Sequence, residues 1–180
     1  MNLPRLTRCA LLLGLSAGGA LLAADPKPAA SPVTVVFSHP EKFTDVRDNE
    51  SDFENELGRE HYLPLLQEFL QQQGATRLAP GQQLTITFSD IDLAGDFEPW
   101  RGVQYSDIRI IKDIYIPRLT FAFKLTDAKG QVLKEGERKL QDLSYQMRLT
   151  RGFRDDPLRY EKDMLDDWLR DELRTVVAKN

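Results

Sequence analysis

Apolar residues alternate with polar ones most regularly at Leu119, Phe121, Phe123 and Leu125, with Thr120, Ala122, Lys124 and Thr126 between them. A period of two sends one face of a strand to a core and leaves the other to water. Asp127-Ala128-Lys129-Gly130 follows as a turn, with glycine where the backbone needs positive φ. Gln131 to Leu140 runs back, with Val132, Leu133 and Leu140 as its apolar residues. The stretch Leu119–Leu140 therefore reads as a β-hairpin. Each buried phenylalanine contributes roughly 1.5–3 kcal/mol, so Phe121 and Phe123 need a cover, and the flanking helices supply it.

Upstream, the β-branched and aromatic run Val33–Phe37 reads as a first strand that His39-Pro40 ends. Ser51 with Glu54 has the spacing of a capping box. Phe53, Leu57, Tyr62, Leu65, Leu66, Phe69 and Leu70 then recur at helical intervals, and Gly74 stands as a C-terminal stop. Pro64 cannot donate to Glu60, so the pattern predicts one long kinked helix, or a break near Glu60–Leu63. Leu84, Ile86 and Phe88 alternate as a strand, but Asp90 and Asp92 take the same parity and Ile91 and Leu93 the other. An unbroken strand would drive two carboxylates into the core, at a cost of about several kcal/mol per unpaired ion. The pattern predicts a bulge, or the end of the strand, near Ser89–Asp90. Further strands are expected near Asp107–Ile111 and Tyr115–Thr126, with Pro117 at the edge or start of the second. Leu143, Tyr145, Met147 and Leu149 extend the return strand or form a short helix. Asp156 as N-cap and Pro157 at the first turn open a last helix, whose apolar face holds Leu158, Leu165, Trp168, Leu169, Leu173, Val176 and Val177. The expected class is α+β: an antiparallel sheet of four or five strands, with a long N-terminal helix and a C-terminal helix packed on one face.

The chain has 180 residues and a net charge of −4. Arg5 and Arg8 precede an apolar run, Ala10–Leu22, that ends in Ala23-Ala24. This is the pattern of a secretory signal peptide, residues 1–24, and the run is too short to span a bilayer. Residues 25–32, with three prolines, read as a flexible lead-in, and residues 33–180 as a single domain. Without residues 1–24 the chain loses two of its 24 basic residues and keeps all 28 acidic ones, leaving a net charge of −6. That balance argues against nucleic acid as a partner. Cys9 leaves with the signal, so neither a disulfide nor a thiolate metal site is expected. No second apolar run approaches the length of a membrane span.

Candidate chemistry is sparse. No Gly-x-Ser-x-Gly elbow occurs, and the two histidines, His39 and His61, lie in unpromising places for a general base. Asp90 to Asp96 has part of the spacing of a calcium loop, but Ala94 stands at the fifth place and Arg101 at the twelfth. No metal and no cofactor are expected. Asp90, Asp92, Asp96 and Glu98 beside Trp100 form the one acidic and aromatic cluster, the expected surface for a partner or ligand. The same acids would be the acid–base pair of a glycan hydrolase, with Trp100 stacking on a sugar. Arg148, Arg151, Arg154, Arg159 and Lys162 make the positive run, balanced by Asp155, Asp156, Glu161 and Asp163.

Several strings resemble a bacterial family catalogued as domain of unknown function 3016. They are VVFSHPEKFTD from Val35, DIDLAGDFEP from Asp90, Pro117-Arg118 with the hairpin, and DPLRYEKDMLDDWL from Asp156. The likeness runs from about Val33 to Val177. It implies an exported single-domain protein and transfers no functional residue. The combined expectation is a soluble periplasmic protein, non-enzymatic, that binds an envelope protein or a small ligand. The alternative is a small hydrolase acting on an envelope glycan through loop 90–100.

Overall fold

A computed structural model describes residues 31–46, 61–102, 108–148 and 155–177. The signal segment, most of the lead-in, the Ser51–Glu54 cap, Arg151 and Arg154 lie outside the described residues. The fold is α+β. Its main sheet has four strands: β1 (Val33–Phe37), β2 (Gln83–Asp92), β5 (Arg118–Thr126) and β6 (Val132–Gln141), ordered β1-β2-β5-β6. A separate two-stranded ladder pairs β3 (Asp96–Phe97) with β4 (Arg109–Ile110). Two helices, α1 (Leu63–Ala75) and α2 (Arg159–Val177), complete the set.

The hairpin forms as its alternation requires. Leu119, Phe121, Phe123 and Leu125 are all buried on one face of β5. Asp127 builds the turn by accepting hydrogen bonds on Oδ1 from the amides of Lys129 and Gln131, and Gly130 takes a φ of 79°. The cover is α2. Trp168 sets its ring edge-on to Phe121 at 4.7 Å and to Phe123 at 5.4 Å. Glu172, one turn further, receives Arg138 Nε and Nη2, each at 2.9 Å, and Lys134 Nζ at 2.5 Å, and so ties α2 to β6.

The bulge falls where two misplaced carboxylates demanded it. The β2–β5 register shifts between Phe88 and Asp90, which returns Ile91 and Leu93 to the core and leaves Asp90 and Asp92 half-buried at its rim. Pro117 stands just before β5, where a missing amide breaks no ladder.

Two expectations are corrected. The sheet is not wholly antiparallel, because β1 pairs parallel to β2 in the register Val33↔Leu84 to Phe37↔Phe88. A strand that returns through a crossover helix comes back in its original direction, and α1 is that crossover. The expected long first helix is described only in its second part, α1, with His61 and Tyr62 leading into it as a π-type turn and Pro64 as its second residue; its first part, residues 51–60, lies outside the described residues. Gly74 is not a cap: α1 continues through Ala75, and a Cβ on Gly74 would lie 2.8 Å from Val33 Cγ2. Glycine is there because the helix presses against β1. At the other end of the chain, Asp156 does cap α2, accepting the Leu158 amide on Oδ1 at 2.8 Å.

Candidate functional site

Between β2 and β5 the chain leaves the main sheet and builds a small lobe from β3, a short 3₁₀ turn (Pro99–Arg101), β4 and the segment up to Ile116. The lobe rests on a second apolar nucleus of Ala94, Ile116 and Tyr145, with Tyr160 of α2 packed edge-on to Tyr145 at 4.6 Å. Tyr145 belongs to a 3₁₀ turn, Tyr145–Met147, that follows β6. Its hydroxyl donates to the Lys112 carbonyl at 2.6 Å and so joins that turn to the lobe.

The five residues singled out in the sequence divide between two duties. Asp90 accepts the Thr44 amide at 2.8 Å and the Thr44 hydroxyl at 3.2 Å, pinning the loop after β1 to the bulge. Asp92 pairs with Arg118 across the β2–β5 ladder at 2.6 Å; burial raises its pKa more than Arg118 lowers it. Asp96 accepts the next residue's amide at 2.8 Å. Glu98 is buried, and its carboxylate receives Lys112 Nζ, Arg101 Nε and, at 2.9 Å, the Tyr115 hydroxyl. Lys112 contributes most to holding Glu98 ionised; with Tyr115 and Arg101 it outweighs burial and brings the pKa down to about 2. Trp100 is 71% exposed. Asp90 and Asp92 thus close the end of the main sheet, and only Asp96, Glu98 and Trp100 belong to the lobe.

A buried charge cluster beneath the lobe has no counterpart among the expected site residues. Glu161, in the first turn of α2, is fully enclosed and accepts the Ala94 amide at 2.6 Å. Asp45 accepts the Leu93 amide at 2.6 Å and pairs with Arg109 at 3.1 Å. Arg109 also donates to the Gly95 carbonyl at 3.0 Å and lies over the Phe97 ring. Glu161 Oε2 and Arg109 Nε are buried without a hydrogen-bond partner among the described residues. Burial lifts the Glu161 pKa to about 7, against the lowering pull of the Ala94 amide and Arg109. The sequence did hold a signal for Glu161 and Glu172. Both fall on the apolar stripe of Leu158, Leu165 and Trp168 at intervals of three and four, where an acid demands a partner. The partners themselves could not be read, since Ala94 lies 67 residues from Glu161 and Arg138 lies 34 from Glu172 in the chain.

Among the described residues the histidines are not joined to a serine or to a paired acid in a cleft. His39 is exposed and bonds Glu41 at 3.1 Å, and the exposed His61 lies tilted against the Tyr62 ring at 5.6 Å. Among the described residues no group of three His, Cys, Asp or Glu side chains could hold a metal ion, and no helix is long and apolar enough to cross a membrane. What the lobe does present is apolar surface. Ile111, Leu143 and Met147 line an open groove of about 480 Å³ together with Lys112, Asp113, Ser144, Tyr145 and Gln146. Leu143 is 72% exposed, Met147 88% and Ile114, beside the groove, 68%. Trp100 stands on the adjoining turn, which the Arg101–Glu98–Lys112 bridge fastens to the groove wall.

The fold and site thus define a small α+β domain with a two-helix roof on one side of its sheet and an apolar lobe beside it. A family model for proteins of unknown function, DUF3016, matches residues 31–171, and the chain belongs to that family. No curated protein and no solved structure matched the chain.

Proposed function

We propose that this chain is an exported, non-enzymatic binding protein of the periplasm, and that the lobe is its working surface. The observation that carries the reading is a groove lined by Leu143 and Met147, both more than two-thirds exposed, with two further exposed apolar residues on segments next to its wall: Ile114 follows Asp113 in the chain, and Trp100 stands on the turn that Glu98 ties to Lys112. Large apolar side chains that cost solubility and serve no core mark interaction sites. The partner is a protein rather than a small ligand. The apolar tips are spread over several turns, whereas small-molecule sites enclose most of the ligand. The basic, apolar and small-residue segments of residues 1–24 support export.

A glycan hydrolase has less behind it. A general acid needs a raised pKa in a cleft, and Glu98 is held low by three donors. Asp96, two residues before it, accepts a backbone amide.

The test is site-specific photocrosslinking in cells, with the reactive residue placed at Trp100 or Met147 and, as a control, at Lys139 on the far side of β6. The same protein from both lobe positions, and none from Lys139, is the expected result. No adduct from the lobe, or the same set from all three positions, would overturn the reading. Recovery of a chain beginning near Asp25 from a periplasmic extract is the matching test of export.

A further inference from the structure

The two edges of the main sheet are treated differently. The β6 edge carries Lys134, Glu135, Glu137, Arg138 and Lys139, the charges that keep an exposed edge from pairing with another chain. The β1 edge, Val33-Thr34-Val35-Val36-Phe37, carries none. The helix beside it continues the contrast: from Leu63 to Ala75 its only charged residue is Glu68, whereas α2 is dense with charge. Gln67 and Gln71 precede Gly74 by seven and three residues, and so lie on the flank of α1 that Gly74 presses against Val33. One side of the molecule is thus uncharged along both its strand and its helix.

The polar groups of that edge are also in order. The Leu84 amide donates to the Pro32 carbonyl, and the Ser38 amide to the Phe88 carbonyl, each at 2.9 Å. In a parallel ladder this assigns the even-numbered residues of β1 to β2 and turns Val33, Val35 and Phe37 outward. Ser31 Oγ accepts the Val33 amide at 3.2 Å. Among the described residues, no hydrogen bond takes up the outward amides and carbonyls of Val35 and Phe37.

We infer that the β1 edge is the contact between two copies of this chain, paired antiparallel about a two-fold axis through Val35. In that register Val35 meets Val35 of the second copy and Val33 meets Phe37. Each of these pairs exchanges two backbone hydrogen bonds, which uses the outward groups of Val35 and Phe37 and has the Val33 amide exchange Ser31 Oγ for the Phe37 carbonyl of the second copy. Thr34 then faces Val36 in the closer, non-hydrogen-bonded pairs, on the solvent side of a continuous eight-stranded sheet. The occupant is a second copy because the edge is its own complement. It has no charge to be matched by another, and its apolar residues at 33, 35 and 37 are symmetric about the centre. A five-residue edge buries less than the roughly 1,200 Å² of a stable interface, so the dimer is reversible and concentration-dependent. The inference does not depend on the lobe.

Sedimentation equilibrium of the purified protein over a hundredfold range of concentration tests it. The wild type is expected to pass from monomer to dimer. Thr34→Lys with Val36→Lys sets like charges opposite one another and should leave monomer throughout. Thr34→Lys with Val36→Glu sets opposite charges across the axis and should restore the dimer. Both positions are solvent-facing, so melting temperatures should not change. A wild type monomeric at every concentration, a Lys/Lys variant that dimerises like the wild type, or a Lys/Glu variant that does not would each overturn the inference. Amide exchange on the wild type stands even if the variants fold poorly. Val35 and Phe37 should gain at least fivefold protection with concentration, while Thr34 and Val36, bonded to β2, should not move. Equal protection of Val35 and Phe37 at both ends of the range would contradict the pairing.

Discussion

Replacing Glu161 with glutamine should flatten the dependence of stability on pH. The carboxyl is sealed beneath the lobe, facing the Ala94 amide, Arg109 and Asp45. Its pKa rises from 4.5 to about 7 because burial penalises the ionised form. The unfolded chain ionises this group near its ordinary value and the folded chain does not. Between those two values unfolding therefore releases a proton, and stability falls as pH rises. The contribution is whole below about pH 4.5 and lost by the time pH has passed about 7. At about 1.4 kcal/mol per pKa unit, the loss is on the order of 3 kcal/mol. Asp45 and Asp92, also raised, add to the slope in the same direction. Glutamine keeps the acceptor for Ala94 and cannot ionise. Urea unfolding at pH 5, 6, 7 and 8 should show the wild type losing stability across the series, at constant m, and Glu161→Gln losing far less. At pH 8 the variant should be the more stable of the two. A wild type whose stability is flat or rises from pH 5 to 8, or a variant with the same slope, would refute the reasoning.

Other perturbations probe the roof, the helix contact and the lobe. Trp168→Ala removes the ring that Phe121 and Phe123 share and should cost about 3–5 kcal/mol in urea unfolding. Gly74→Ala sets a methyl against Val33, and overpacking of about 1–3 kcal/mol should exceed the helix-propensity gain of about 1 kcal/mol. In a Val33→Ala background the same change should turn stabilising, and a double-mutant cycle reads the difference. Glu98→Gln leaves Lys112 and Arg101 without their shared counter-charge and should speed amide exchange through residues 96–102 and 108–116. The Glu98 pKa is lowered to about 2, so its contribution is present above about pH 4.5 and lost as pH falls toward 2; the wild-type lobe should loosen in that acid range and the variant should already be loose.

The hairpin could be read from the sequence because one period governs nine residues, and a strand with that pattern has one way to lie on a core. The bulge could be read because Asp90 and Asp92 have no acceptable place on the buried face. Pairing direction could not: Val33–Phe37 looks the same whether its neighbour runs with it or against it. Gly74 looked like a stop because glycine ends helices more often than it admits a neighbour, and only Val33 reveals the second use. At the site, the exposure of Trp100 and the separate fates of the acids follow from Thr44, Arg118 and Lys112. Those partners meet them through the tertiary fold, and no local spacing announces them. The apolar groove joins residues 111–113 to 143–147 and was invisible for the same reason.

Hydroxyl-radical footprinting of this protein, inside the cell envelope and after purification, tests the binding surface most directly. Met147 is 88% exposed and Trp100 71%, while Met164 and Trp168 are each 6% exposed and serve as internal references. The purified protein should be oxidised at Met147 and Trp100. In cells both should be protected at least threefold, with Met164 and Trp168 unchanged. Equal oxidation of Met147 and Trp100 in the two settings would contradict the assignment of the lobe as a partner surface.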